Sequence, residues 1–178
     1  MTVTLVLGGA RSGKSGFAQR AAEAWAAKRG GALTFIATAT AGDAEMTERI
    51  ARHRSDRGAA WRTVEAPLAL AETLGQLRPK DVAVVDCLTL WLANAMAAPG
   101  GHAERAAALV PALLDCPGRL WVVSNEVGWG IVPENALARA FRDAAGHLHQ
   151  AIAAGAHEAV LIVAGLPVTL KAAGRDPS

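Results

Sequence analysis

Thr2-Val3-Thr4-Leu5-Val6-Leu7-Gly8-Gly9-Ala10-Arg11-Ser12-Gly13-Lys14-Ser15 is the stretch that decides the fold. Thr2 to Leu7 reads as a buried β-strand, and the alanine-rich run from Lys14 to about Lys28 reads as a helix. Between them Gly8 to Ser15 fits G-x-x-x-x-G-K-[ST], and strand, loop, helix is the context that this phosphate-binding motif requires. In such a loop the backbone N–H groups and the positive end of the helix hold phosphate oxygens. Lys14 would neutralise the β and γ phosphates, and Ser15 would ligate magnesium. The competing reading, a glycine-rich turn with a chance lysine and serine, lacks a reason for the flanking strand and helix.

Outward from this loop, strand-like and helical stretches alternate. Ala32 to Ala37 reads as a second strand, and Asp43 can cap a helix from Ala44 to about Arg57. A short strand follows at Trp61 to Glu65, helical spacing at Leu68 to Leu77, a strand at Val82 to Val85 and a helix from about Thr89 to Ala97. Pro99-Gly100-Gly101 breaks the pattern, and a further helix runs to Leu114. Strand Leu120 to Ser124 leads into a Gly- and Pro-marked loop, Val127 to Pro133; a helix from Glu134 to Ala154 and a strand from Ala159 to Val163 end the core. The tail from about Ala172 reads as a frayed end. The expectation is an α/β fold with a mostly parallel sheet, helices on both faces and a ligand site at the carboxyl ends of the strands.

Composition agrees and narrows the partners. The chain has 178 residues, 52% apolar and 19% charged, which suits one domain with both sheet faces covered. Net charge is only +2 and the charges are interspersed, so nucleic acid is not favoured as a partner. Cys87 and Cys116 lie beside apolar runs, as buried thiols of a reducing compartment do, and the cytoplasm is the expected location. No basic segment precedes the first strand, so it is not read as a secretory signal, and no apolar stretch is long enough to span a bilayer.

Four further positions carry candidate chemistry. Val82-Ala83-Val84-Val85-Asp86 is an apolar strand ending in a carboxylate, which either approaches the magnesium or caps the next helix. On the helix after Asp43, Met46, Arg49, Ile50, His53 and Arg57 share one side. Arginines on either side of His53 suit an anionic phosphate and favour the neutral imidazole that a nucleophile requires; the bland reading is a partly exposed histidine in a charged helix. Glu65 ends a strand and could accept from both N1–H and N2–H of guanine, or could be an ordinary surface glutamate. Glu126, after Ser124-Asn125, could act as a base or position a water, or could cap backbone amides. His102, His147, His149 and His157 show no metal spacing, and His147 and His149 do not share a helix face.

The segments GGARSGKS, IATAT, RIARHRSDRG with WRTVE, and SNEVGWGIVPENALARAFRDAAGHLHQ together resemble the bifunctional adenosylcobinamide kinase and adenosylcobinamide-phosphate guanylyltransferase family. The resemblance spans nearly the whole chain; the histidine-bearing and NEVGxGIVPEN stretches are much more specific than the glycine loop. It implies that adenosylcobinamide is phosphorylated with ATP or GTP, that GTP then gives GMP to a histidine, and that the phosphorylated corrinoid takes this GMP. Carried onto this chain, it implies nucleotide contacts from Gly8, Gly9, Ala10, Arg11, Ser12, Gly13, Lys14, Ser15, Ala37, Thr38, Ala39, Arg54, Ser55, Asp56, Arg57, Glu65 and Asp86, with His53 as the guanylylated nucleophile. It also implies a RecA-like P-loop NTPase fold, Mg2+ held by Ser15 and Asp86, and a homotrimer.

Family members often carry two neighbouring histidines where this chain has Arg52-His53, and tend to have asparagine where it has His149. A simpler P-loop kinase, with no covalent role for His53, and a nucleotide-sensing oligomer that consumes nothing are the rival functions.

Overall fold

The computed structural model describes residues 2–40 and 58–174. The helix expected from Ala44 to Arg57, and with it His53, lies outside the described residues. The strands are β1 (Thr2–Gly8), β2 (Leu33–Ala37), β3 (Trp61–Glu65), β4 (Val82–Asp86), β5 (Arg119–Asn125), β6 (Glu158–Val163) and β7 (Leu166–Lys171). The helices are α1 (Lys14–Arg29), α2 (Leu70–Gly75), α3 (Leu88–Ala97), α4 (Ala103–Leu114) and α5 (Ala136–Gly155).

The strands form one sheet in the order β3-β2-β4-β5-β1-β6-β7, parallel throughout except for β7, which pairs antiparallel to β6. β1, β4 and β5 are the near-continuous apolar runs expected of strands buried on both faces. Alternation divides them between two cores. Leu5, Val85, Leu120 and Val122 pack against α2 to α5, with Leu70, Trp91, Leu109 and Ile152 prominent. Val6, Val84, Trp121 and Val123 pack against α1 through Ala18 and Ala22. Helices therefore cover both faces, as expected. Trp91, almost fully buried, satisfies its indole N–H on the carbonyl of Leu68 at 3.2 Å. Cys87 and Cys116 are buried free thiols.

Two expectations need correction. The core does not end at Val163: a two-residue turn, Ala164-Gly165, reverses the chain into β7. Both turn residues have positive φ, 50° and 82°, the requirement of a two-residue hairpin whose twist matches its strands. The last long helix also starts at Ala136 and not at Glu134, because Asn135 caps it, its side chain accepting from the N–H groups of Leu137 and Ala138. The loop before it is correspondingly longer.

At the end of the sheet away from the glycine loop, Arg119 ties three strands together. Its guanidinium donates to the Thr2 carbonyl, to Thr4 Oγ1 and to Glu158 Oε2, and lies 3.9 Å from the Trp121 ring centroid. Burial pushes its pKa down to about 10, against the attraction of Glu158.

Candidate functional site

Among the described residues, the parallel register brings the ends of the glycine-loop, Glu65 and Asp86 strands to one edge. Gly8 is level with Asn125 and Ile162, Ala37 is level with Asp86 and Glu65, and Asp86 is level with Val123. All are at or beside the carboxyl ends of their strands, where open α/β sheets bind ligands. β5 lies between the glycine-loop strand and the Asp86 strand, so the Ser124-Asn125-Glu126 segment enters the same edge.

The glycine loop is built by close approach. A Cβ on Gly8 would stand 2.6 Å from both the Ile162 carbonyl oxygen and Ser12 Oγ, so no other residue fits without displacement. Gly13 caps α1 in the left-handed region at φ 94°, and among the described residues no side chain caps this helix end. A helix N-terminus of this kind suits an anion. Lys14 is buried and donates from Nζ to the Gly9 carbonyl at 2.7 Å, which places the ammonium within the arc of the loop. Ser12 Oγ is a buried polar atom without a hydrogen-bond partner among the described residues.

A support that sequence reasoning missed comes from the β6–β7 turn. The N–H of Gly165 donates to the Ser12 carbonyl at 2.9 Å, and a Cβ on Gly13 would meet Gly165 Cα at 3.4 Å. The signal was present in the Ala164-Gly165 pair between two apolar runs.

Thr38 is fully buried and structural: its hydroxyl donates to the Cys87 carbonyl at 2.7 Å and accepts from the Cys87 N–H at 2.8 Å. Its backbone N–H donates to the Asp86 carbonyl, and Asn94 Nδ2 donates to its carbonyl. Thr38 thereby fixes the end of β2 against the end of β4. Burial raises the Cys87 thiol, helped by the nearby Asp86 carboxylate, which keeps it protonated. Asp86 is half-buried and Ser15 lies in the first turn of α1, both oxygen donors of the hard kind that suits Mg2+. Arg54, Ser55, Asp56 and Arg57 share the fate of His53 and lie outside the described residues; Ala37, Ala39 and Glu65 fall on the same strand edge.

Glu126 makes the backbone-amide cap that was one of its two sequence readings. Its N–H donates to the Gly8 carbonyl at 3.0 Å, while its Oε1 accepts from the Gly128 N–H at 2.7 Å. Its Oε2 lies 4.0 Å from Nδ1 of His149, whose Nε2 is 2.7 Å from the fully buried Ser124 Oγ. Burial lowers the His149 pKa, opposed by Glu126, so the ring is neutral at neutral pH. Sequence spacing separated His149 from His147 but could not reveal a partner on another element.

Comparison with known proteins adds the family. Residues 4–170 match the model of the family described as cobinamide kinase / cobinamide phosphate guanyltransferase. The bifunctional adenosylcobalamin biosynthesis protein CobP of Pseudomonas aeruginosa is 51% identical over 170 residues, covering 94% of this chain and 96% of that protein. The CobU proteins of the same description from Salmonella typhimurium and Escherichia coli are 42% and 39% identical, each covering 94% of this chain and 98% of the relative. In fold, the chain resembles the flagellar accessory protein FlaH of Methanocaldococcus jannaschii, with a TM-score of 0.53 at 14% identity, over 97% of this chain and 79% of that one. The glycine loop on a mostly parallel seven-stranded sheet is a RecA-like P-loop NTPase fold. With the match covering nearly its whole length, this chain belongs to the cobinamide kinase / cobinamide phosphate guanyltransferase family.

Proposed function

We propose that this chain, working as one nucleotide-binding catalytic domain, performs two transfers of cobalamin biosynthesis. It phosphorylates the aminopropanol hydroxyl of adenosylcobinamide with ATP or GTP, and then transfers GMP from GTP to the product through a guanylylated His53. The observation that carries the reading is the shared edge of Gly8 to Ser15, Glu65 and Asp86, in a chain of this family.

In both steps the glycine loop and Lys14 hold the polyphosphate and stabilise charge as it spreads over the transferred group. Mg2+, held by Ser15 and Asp86, would supply further neutralisation of the phosphate oxygens. Ser12 Oγ, buried and unpaired among the described residues, is a donor suited to a phosphate oxygen. Ala37, Ala39 and Arg54 to Arg57 complete the nucleotide contacts, and Glu65 reads the guanine edge. Thr38, expected among them, is fully buried with its polar groups held by Cys87, Asp86 and Asn94, and supports the strand ends behind them. In the second step the imidazole of His53 attacks the α-phosphorus of GTP, pyrophosphate leaves, and the corrinoid phosphate then takes the GMP from the histidine. The chain acts as a homotrimer in the cytoplasm; the free buried thiols and the exposed apolar side chains of β7 support this.

The test is to mix the protein with magnesium, ATP, GTP and adenosylcobinamide and weigh the products. Adenosylcobinamide phosphate and its GDP derivative are expected. With GTP labelled at the α-phosphate, the denatured chain should carry label that survives alkali and is released by acid. His53→Ala should lose that label and keep corrinoid phosphorylation, while Lys14→Ala should impair both steps. Label on a peptide without His53 would refute the covalent assignment and leave a simple kinase.

A further inference from the structure

Glu126, His149 and Ser124 form a chain of polar side chains that runs from the edge of the glycine loop into the buried face under α5. The Ser124 hydroxyl is fully buried, and its partner among the described residues is Nε2 of His149. A buried O–H needs an acceptor, which makes Nε2 the acceptor and puts the ring proton on Nδ1. That N–H faces Oε2 of Glu126 at 4.0 Å, beyond a direct hydrogen bond and within reach of a small closure. The other carboxylate oxygen is held by the Gly128 N–H. One oxygen is therefore held from within the protein while the other faces His149, and the backbone of the same residue is fastened to Gly8.

Next to Glu126 in the chain, Val127 lines a cavity of about 600 Å³ together with Ala93, Met96, Pro133, Phe141 and Arg142. The cavity is on the same sheet face as His149, formed by α3, α5 and the loop between β5 and α5. Glu126 is thus fastened to the phosphate loop on one side and followed in the chain by a residue that lines an apolar recess on the other. Of the other carboxylates on this edge, Asp86 is committed to the metal and Glu65 to the guanine in the reading given above.

We infer that Glu126 is the base of the phosphorylation step and that His149, oriented by Ser124, positions its carboxylate. The inference rests on the proposed phosphorylation of a corrinoid hydroxyl. In that step the hydroxyl O–H breaks and its proton passes to Glu126. The oxygen attacks the γ-phosphorus, and the bond to the bridging oxygen breaks with its electron pair leaving on the nucleoside diphosphate. His149 acts through Glu126 and does not touch the substrate.

The measurement is steady-state phosphorylation of adenosylcobinamide with ATP. Glu126→Gln should lower kcat about a hundredfold, in the range for a lost general base. His149→Ala should lower kcat about tenfold with both KM values within about twofold, a partial loss of the same effect. His149→Asn, whose amide can present an N–H where Nδ1–H stood, should recover most of that loss. In the Glu126→Gln background, His149→Ala should cost almost nothing further, because its effect passes through the missing carboxylate. An equal loss in both backgrounds, a loss confined to KM, or an Asn variant no better than Ala would overturn the inference. Should His149→Ala fail to fold, Ser124→Ala replaces it: kcat reduced about threefold supports the relay, and an unchanged kcat refutes it. Wild-type protein that phosphorylates no corrinoid would sink the functional reading and this inference with it. Wild type that works beside a fully active Glu126→Gln sinks the inference alone.

Discussion

At the level of single residues, the site depends on a few side chains whose partners set their chemistry. Glu65 ends β3 level with Ala37, at the carboxyl edge of the sheet. Glu65→Gln should weaken GTP use more than ATP use, since an amide presents one acceptor and one donor group where guanine asks for two acceptors. Competition between the two nucleotides in the phosphorylation assay checks this, and equal losses would remove the base-reading role. His149 makes a second prediction. Burial lowers its pKa from the ordinary 6.5, so below about 6.5 the unfolded chain binds a proton that the native chain resists. Stability should therefore fall as pH drops from 7.5 to 5.5, by no more than about 1.4 kcal/mol per pH unit from this group. Urea midpoints at the two pH values should differ more for the wild type than for His149→Asn. The glycine loop declares its role through composition and spacing alone, whereas neither the Glu126 contact nor the His149 environment could be read from spacing, because the partners sit on β5 and α5.

At the level of elements, polar fastenings hold the strand ends in place. Thr38 joins β2 to β4 beside Asp86, and Gly165 in the β6–β7 turn holds the carbonyl of Ser12. Far from the site, Arg119 plays the same part for β1, β5 and β6. Arg119→Ala would leave Thr4 and Glu158 without their cation and remove the stacking on Trp121. Because the Glu158 side chain is 37% exposed and can rehydrate, the expected cost is about 2–3 kcal/mol, below the range for breaking a fully buried pair. That corresponds to a midpoint roughly 5–10 °C lower in thermal unfolding for a chain of this size. Arg119→Lys should recover only part of the loss, since an ammonium lacks the planar fork. A midpoint unchanged in Arg119→Ala would show the network to be decorative.

At the level of the whole molecule, β7 is an edge strand whose Leu166, Val168 and Leu170 alternate onto one face and are about half exposed or more, at 69%, 48% and 56%. An apolar edge of this kind is a surface for association. Light scattering should give three times the 18.3 kDa chain mass, and the double variant Leu166→Glu with Val168→Glu should give smaller species. Because the turn that starts β7 also holds the glycine loop, the variant should lose activity as it dissociates. A wild-type mass of one chain would refute the trimer. The sequence by itself determined the fold class, the order of most elements and the phosphate loop, because these rest on local periodicity and on glycines that only one backbone geometry requires. Asp86 and Glu65 were legible as strand-terminal carboxylates for the same reason. Only the tertiary structure decided that β5 lies between β1 and β4, that β7 closes the sheet edge behind the loop, and that a buried histidine faces Glu126. Strand order and side-chain partnership join residues distant along the chain, and no local pattern encodes which helix will settle on which strand.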